Sequence, residues 1–326
     1  MLPDGSGKAM RFDVSALADE IARKHFGIQP VDALEPLPGH GHVFLVHSSG
    51  SRFVEKCTLD SGQWTERLKH THELVRLLNE RGFATYSLVH AVGGGTLVLA
   101  DGLIWEMHTY VSGCPLSSLA LDPSGVGKLL SEYHRTAERI AFDGLSPPET
   151  SCTGGFESAG PKLVLAALNS RLQDPGVLRE INHLMDLVRS LSEGWSAGTR
   201  VIPLHGDISA SNILACAPGY CLIDFEDVAW GDACIDVAQA LTRLVVTCQQ
   251  RPPETVRDAV LEFLSSYEGS SGSAMQASAT LKRVAGLHAI KDWACDQLIS
   301  KLPDRSVAET LPFLRRTLDL LSLCLV

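Results

Sequence analysis

Between Val201 and Ala238, the stretch VIPLHGDISASNILACAPGYCLIDFEDVAWGDACIDVA interrupts two short apolar runs with side chains that hold hard cations and accept protons. Asp207 stands five positions before Asn212, and Asp224 follows twelve positions later. A cation such as Mg2+ takes oxygen ligands, few from protein and the rest from water and substrate phosphates, and Asn212 with Asp224 fits that sparse set. A compact loop from Asp207 to Asn212 turns both side chains to one place while aiming the Asp207 carboxylate away from the metal, where it takes the proton of an attacking hydroxyl. The bland alternative is that all three are turn and cap residues, types that favour local hydrogen bonding. It accounts for each singly and not for the ordered set.

These groups need strands and loops to carry them. VIPLHGD and CLIDF read as short strands, so the polar groups sit at the ends of two buried runs. Upstream, Asp13–Phe26 has apolar residues at helical spacing with Gly27 as its stop. VFLVHSSGSRFVEKCTL reads as two antiparallel strands joined at Ser48–Ser51. Helical period returns over Trp64–Arg81, and SLVHAV, GTLVLA and LIWEMHTYV, divided by GGG and DG, predict three further strands. After Gly113 the pattern is mainly helical, over Gly125–Ile140, Lys162–Leu172 and Val177–Leu191, with two long amphipathic helices near 279–300 and 308–325. The Pro-, Gly- and Ser-rich LSPPETSCTGGFESAG is a loop.

With 326 residues, 45% of them hydrophobic, the chain is long enough for two lobes. A formal net charge of -10 with no basic patch argues against nucleic acid and anionic membranes as partners. Nine scattered cysteines without a C-x-x-C pair read as reduced core residues of a cytoplasmic protein. MLPDGSGKAMRF lacks the apolar region of a leader, and no run reaches membrane-spanning length.

The spacing D-x-x-x-x-N followed by Asp-Phe is that of a kinase catalytic loop and its metal-binding Asp, here with His205-Gly206-Asp207 and Asp224-Phe225-Glu226. With Ile223, Gly231, Asp232 and Asp236 in order, the stretch resembles the aminoglycoside phosphotransferase and choline kinase superfamily of small-molecule kinases. The resemblance implies an α+β, bilobal, protein-kinase-like fold, with a small antiparallel-sheet N-lobe over 1–112 and a larger, mainly helical C-lobe over 113–326. It implies ATP or GTP as donor, Mg2+ on Asn212 and Asp224, and Asp207 as catalytic base. In the N-lobe it implies that Lys56 holds nucleotide phosphates and that Glu73 orients Lys56. It further implies that Gly39 and Gly41 cover the phosphates and that the backbone at Thr109 to Val111 binds adenine. His205 reads as a support of the loop rather than a proton carrier, and Asp232 and Asp236 as loop supports and helix caps.

The acceptor is then a hydroxyl on a small molecule. The acidic cluster Asp224, Glu226, Asp227 and Asp232 favours a cationic one, an amino-sugar or amino alcohol. The helix-hairpin opening and the 64–89 stretch look nearer to the homoserine kinase type II branch than to choline kinase. Three rivals are a silent nucleotide-binding pseudokinase, a protein kinase and a metal hydrolase. The second lacks an Ala-Pro-Glu segment, and the third needs more histidine ligands than the stretch offers.

Overall fold

Val43–Ser48 and Ser51–Leu59 pair antiparallel with Ser48 opposite Ser51, and both turn residues, Ser49 and Gly50, take positive φ. That is the backbone twist a two-residue hairpin requires. The computed structural model that contains this hairpin describes residues 14–37, 42–147, 159–192, 201–271, 279–299 and 304–325. The chain divides into two compact units, the first of residues 1–80 with 85–112 and the second of 81–84 with 113–326. The expected division had put residues 81–84 with the first.

In the first unit the order is Val14–Lys24 (α1), Ala33–Pro36 (β1), Val43–Ser48 (β2), Ser51–Leu59 (β3), Gln63–Glu80 (α2), Leu97–Ala100 (β4) and Leu103–Thr109 (β5). The strands form one antiparallel sheet in the order β1-β2-β3-β5-β4. The expected third strand over SLVHAV does not form. Leu88 makes a single bridge to His108, and Val92 instead donates its N–H to His25, drawing the segment off the sheet. Its place as fifth strand goes to β1, whose sequence ALEP carries no alternation for a sequence reading to find.

Strand β3 shows what alternation does here. Phe44, Val46, Cys57, Trp105 and Met107 meet α1 through Ala18, Ile21 and Ala22 in one apolar cluster. Glu55 lies on the Cys57 side of the same strand, completely buried, with neither carboxylate oxygen hydrogen-bonded. Burial, and next the charge of Asp19, push its carboxyl up to about 9.

The second unit runs through Cys114–Pro115 (β6), Pro123–Phe142 (α3), Ala159–Asn169 (α4), Pro175–Ser192 (α5), Ile202–Leu204 (β7), Ile213–Cys216 (β8), Gly219–Leu222 (β9), Ala229–Gly231 (β10), Cys234–Cys248 (α6), Pro253–Ser271 (α7), Ala279–Ile299 (α8) and Asp304–Cys324 (α9). Asp122 caps α3 by accepting the Gly125 N–H at 2.8 Å, ahead of a helix that opens on Pro123. α3 and α7 pack so closely that a Cβ on Gly127 would lie 2.4 Å from the Phe263 carbonyl oxygen. α6 is the inner helix. Twelve of its fifteen residues are buried, including Asp236 and Gln239, so those polar groups must find partners inside the protein. The cysteines among the described residues are unpaired, five of them buried. No described helix is long and apolar enough to cross a membrane.

Glu55 makes stability depend on pH. Its folded-state pKa lies above its unfolded value, so its contribution is fully present below about 4.5 and is lost as pH rises toward 9. Glu55→Gln removes the ionisation, and the variant should gain stability on the order of 3 kcal/mol at pH 7 and little at pH 4.5. Urea unfolding at pH 4.5, 6 and 8 checks this, the difference from wild type widening with each step.

Candidate active site

β8 and β9 form a hairpin with Ile213 opposite Leu222 and Cys216 opposite Gly219. An antiparallel pair brings its two outer ends together, so Asn212, just before β8, meets Ile223, just after β9, and the Ile223 N–H donates to the Asn212 carbonyl at 2.9 Å. This is why twelve residues of separation put Asn212 and Asp224 side by side. β7 and β10 pair the same way, Leu204 opposite Ala229, and fix the entry and exit of the intervening loops.

Between β7 and β8 lies the loop His205–Asn212, which ends in a 3-10 turn at Ala210–Asn212. Gly206 has φ +82, and a Cβ there would fall 2.1 Å from the Asp227 carbonyl oxygen. Only glycine satisfies both the left-handed backbone and the close approach. Asp224 also takes the left-handed region, φ 67 and ψ 68, away from any hairpin turn. A non-glycine residue in that region stores strain that its surroundings must hold.

Helix α6 holds this loop. Asp236, wholly buried, accepts the His205 N–H on Oδ2 at 2.8 Å and the Gly206 N–H on Oδ1 at 3.0 Å. One turn on, Gln239 Oε1 accepts the Ile208 N–H at 2.7 Å while its Nε2 donates to the Gly206 carbonyl at 3.0 Å. From α3, His134 Nε2 lies 3.1 Å from Asp236 Oδ2, with Nδ1 2.8 Å from the Tyr267 hydroxyl. Burial alone would push the Asp236 carboxyl up. The hydrogen bond and charge of His134, with the His205 backbone N–H, outweigh it and hold the carboxyl below its ordinary value. Asp232 accepts the Cys234 N–H at 2.8 Å where α6 begins.

His205 is fully buried, its ring tilted at 60° to that of Phe225 with centroids 4.7 Å apart, its Nε2 donating to the Ile223 carbonyl at 2.9 Å. Its Nδ1 accepts the Asp207 N–H at 3.2 Å. Both ring nitrogens are therefore committed to the loop backbone. Asp207 itself is half-buried. Asn212 Nδ2 donates to its Oδ2 at 2.7 Å and to its carbonyl at 3.0 Å, and Arg243 of α6 stands 2.7 Å from Oδ1.

The amide nitrogen of Asn212 is thus spent on Asp207, and its Oδ1, 3.5 Å from the Ser211 hydroxyl, together with the Asp224 carboxylate offers hard oxygen donors at the two outer ends of the β8–β9 hairpin. Among the described residues no three His, Cys, Asp or Glu side chains cluster as a metal site. The donor set present fits a cation that keeps most of its shell for water and phosphate.

In the first unit Lys56 of β3 lies opposite Glu106 of β5. Glu106 is buried, 2.5 Å from His72 Nε2 of α2, whose Nδ1 is 2.6 Å from the Thr96 hydroxyl. Glu73, expected to orient Lys56, is engaged within its own helix. α2 turns its neighbour His72 inward, and Glu73 takes a two-point ion pair with Arg76, at 2.6 and 2.8 Å, on the outer face. Thr109 donates its N–H to the Ser87 carbonyl and Tyr110 donates its N–H to the Arg52 carbonyl. Gly39 and Gly41 lie outside the described residues. The contributions of Gln239 and Arg243 were missed from sequence. Their signal is the spacing Asp236, Gln239, Arg243, which puts three polar residues on one face of an otherwise apolar helix.

A five-stranded antiparallel unit and a mainly helical unit that carries this loop make up a protein-kinase-like fold. The chain belongs to the phosphotransferase enzyme family, whose profile matches residues 34–269. Comparison with curated proteins returns no significant match. Among solved structures, the amicoumacin kinase in complex with AMP-PNP, Ca2+ and amicoumacin is similar at 14% identity, covering 95% of this chain and 94% of that one with a TM-score of 0.72. Spectinomycin phosphotransferase in complex with ADP and spectinomycin gives 14%, 94%, 97% and 0.63. Choline kinase from Cryptosporidium parvum gives 12%, 96%, 98% and 0.67.

The Gly206 geometry is open to a direct check. Gly206→Ala should destabilise the protein by at least about 1–2 kcal/mol from the left-handed backbone alone, with the Asp227 clash in addition. Denaturant midpoints of wild type and variant measure it, and an unchanged midpoint contradicts the close approach.

Proposed function

We propose that this phosphotransferase moves the γ-phosphate of ATP or GTP to a hydroxyl of a small molecule, with Asp207 as the base and Mg2+ held by Asn212 and Asp224. The observation that carries the reading is the shared amide: Asn212 binds Asp207 through its nitrogen at 2.7 Å, tying the proton acceptor to the donor set for the cation. Neighbours of the same fold support it, one named with AMP-PNP and Ca2+ and another with ADP.

Asp207 accepts the hydroxyl hydrogen of the acceptor and orients its oxygen toward the phosphorus. As that O–P bond forms, the bond from the γ-phosphorus to the bridging oxygen breaks and its electron pair leaves with the nucleoside diphosphate. The proton ends on the Asp207 carboxylate. The divalent ion supplies charge neutralisation on the phosphate oxygens. Lys56 binds nucleotide phosphates, the backbone at Thr109 to Val111 binds the base, and Gly39 and Gly41 are assigned to the phosphates as the resemblance implies. Because the transition state is loose, most of the acceleration comes from positioning and electrostatics.

For the acceptor, we carry over from amicoumacin, spectinomycin and choline, for which these neighbours are named, only the class of a small hydroxylated molecule with cationic character. The acidic side chains Glu226, Asp227 and Asp232 near Asp224 in the sequence agree with it. The proposed location is the cytoplasm, where the nucleotide is.

A screen of hydroxylated amines, amino acids and antibiotics for nucleotide consumption tests the reading. With an acceptor found, Asp207→Asn should lower kcat by about 10²–10⁴-fold with the KM for ATP little changed, and EDTA should stop turnover. Identical turnover by wild type and Asp207→Asn would mean a nucleotide-binding protein without phosphotransfer.

A further inference from the structure

The loop His205–Asn212 contains no lysine or arginine, yet the carboxylate of Asp207 is not without a cation. Arg243, on the last turns of α6, brings Nη1 to 2.7 Å from Asp207 Oδ1, and its Nε stands 4.0 Å from Asp292 Oδ2 of α8. Nη1 meets Oδ1 off the N–H axis, so the contact is an ion pair rather than an aligned hydrogen bond. All three side chains are about one-third exposed, which leaves the group partly open to solvent while screening the pair less than a surface bridge.

Two features make this more than a chance surface pair. Arg243 is the third member of the α6 face that holds the loop, since Asp236 takes the N–H groups of His205 and Gly206 and Gln239 brackets Gly206 and Ile208. The first two fix the backbone on either side of Asp207; Arg243 and Asn212 fix its two carboxylate oxygens separately. In addition, the guanidinium lies between two carboxylates, Asp207 and Asp292, that would otherwise repel. Burial pushes the Asp292 carboxyl up, Arg243 and Lys291 pull it down, and Asp207 is among the charges that raise it.

We propose that Arg243 is the positioning residue of the catalytic carboxylate: by spanning Asp207 and Asp292 it fixes Asp207 Oδ1 in the orientation that addresses the acceptor hydroxyl. The proposal rests on Asp207 being the base. A planar guanidinium can present Nη and Nε to two carboxylates at once, whereas a lysine ammonium is a point charge on a flexible stem. The role therefore calls for arginine and not merely for positive charge.

The test uses the full chain and Mg2+-dependent ADP release from ATP, with water alone and with spectinomycin or choline as acceptor probes. Arg243→Ala keeps a good helix former in α6. It should lower kcat by about 10²-fold, the cost of a misplaced reacting group, with the KM for ATP unchanged. Guanidinium chloride at a non-denaturing, millimolar concentration should return about a tenfold share of that loss in the variant and do nothing for wild type. Arg243→Lys should recover less than added guanidinium does. Arg243→Ala combined with Asp292→Asn should turn over faster than Arg243→Ala, because the repulsion is relieved. A crystal structure of Arg243→Ala should show the Asp207 carboxylate turned from its wild-type place.

Unchanged kcat in Arg243→Ala overturns the proposal, as does a loss that neither guanidinium nor Asp292→Asn relieves. So does an Asp207 carboxylate that stays in place. Asp207→Asn separates the two levels. If it is as active as wild type, the base assignment fails and the proposal falls with it; if it is silent while Arg243→Ala is unimpaired, the proposal alone fails.

Discussion

A carboxylate with no solvent exposure stays ionised only where donors surround it, because removing an ion from water without partners costs several kcal/mol, and Glu55, buried without them, has its carboxyl pushed up instead. Asp236 meets that condition with the N–H groups of His205 and Gly206 and the imidazole of His134. The dependence runs both ways. Gly206 takes a left-handed backbone pressed against Asp227, a conformation with nothing local to favour it over many others, and the two hydrogen bonds to Asp236 select it. Every later feature of the loop inherits that selection, since Asp207 follows directly and its own N–H turns back to His205.

The opposite end of the site is built by strand pairing instead of helix capture. The β8–β9 hairpin sets Asn212 against Ile223, and His205 donates to the Ile223 carbonyl, so helix-held loop and hairpin are joined through one imidazole. Tyr133 and Phe225 pack around that ring, at 6.3 and 4.7 Å between centroids, which denies it water and leaves the two backbone contacts as its only uses. A histidine so enclosed acts as a strut. The strain at Asp224 is tolerable for the same reason, because residues on both sides of it are pinned.

How legible this was in the sequence follows from how local each interaction is. The loop and hairpin are encoded within twenty residues, so the types and spacing of Asp207, Asn212 and Asp224 could be read as one constellation. The β2–β3 hairpin and the helical periods were readable for the same reason. Arg243 and Gln239 were not, because their partners lie more than thirty residues away and a polar face on a helix ordinarily faces solvent. Glu73 illustrates the converse. A glutamate at the expected position of α2 invites pairing with Lys56, but Arg76 three residues on competes from the same helix at no loop-closure cost, and His72 occupies the inward face. β1 was invisible because a four-residue edge strand needs no alternating pattern to pair.

Charge explains why the loop and α6 are organised as they are. Asp207, Asp224, Glu226 and Asp227 crowd acidic groups into one stretch, and a nucleotide polyphosphate would be repelled by them as they stand. On the proposed reading the repulsion is relieved in two separate ways. Asn212 is neutral, so that the pair with Asp224 offers a divalent ion one formal charge and leaves it net positive toward phosphate. Asp207 is balanced from the side by Arg243, a cation anchored on α6 and paired with a second carboxylate. Were both acidic centres served by the same cation, the base would become a metal ligand and lose the lone pair it needs for the hydroxyl. Splitting the counter-charges between a bound ion and a fixed guanidinium leaves Asp207 oriented and unligated, the condition on this reading for accepting a proton from an acceptor placed against it.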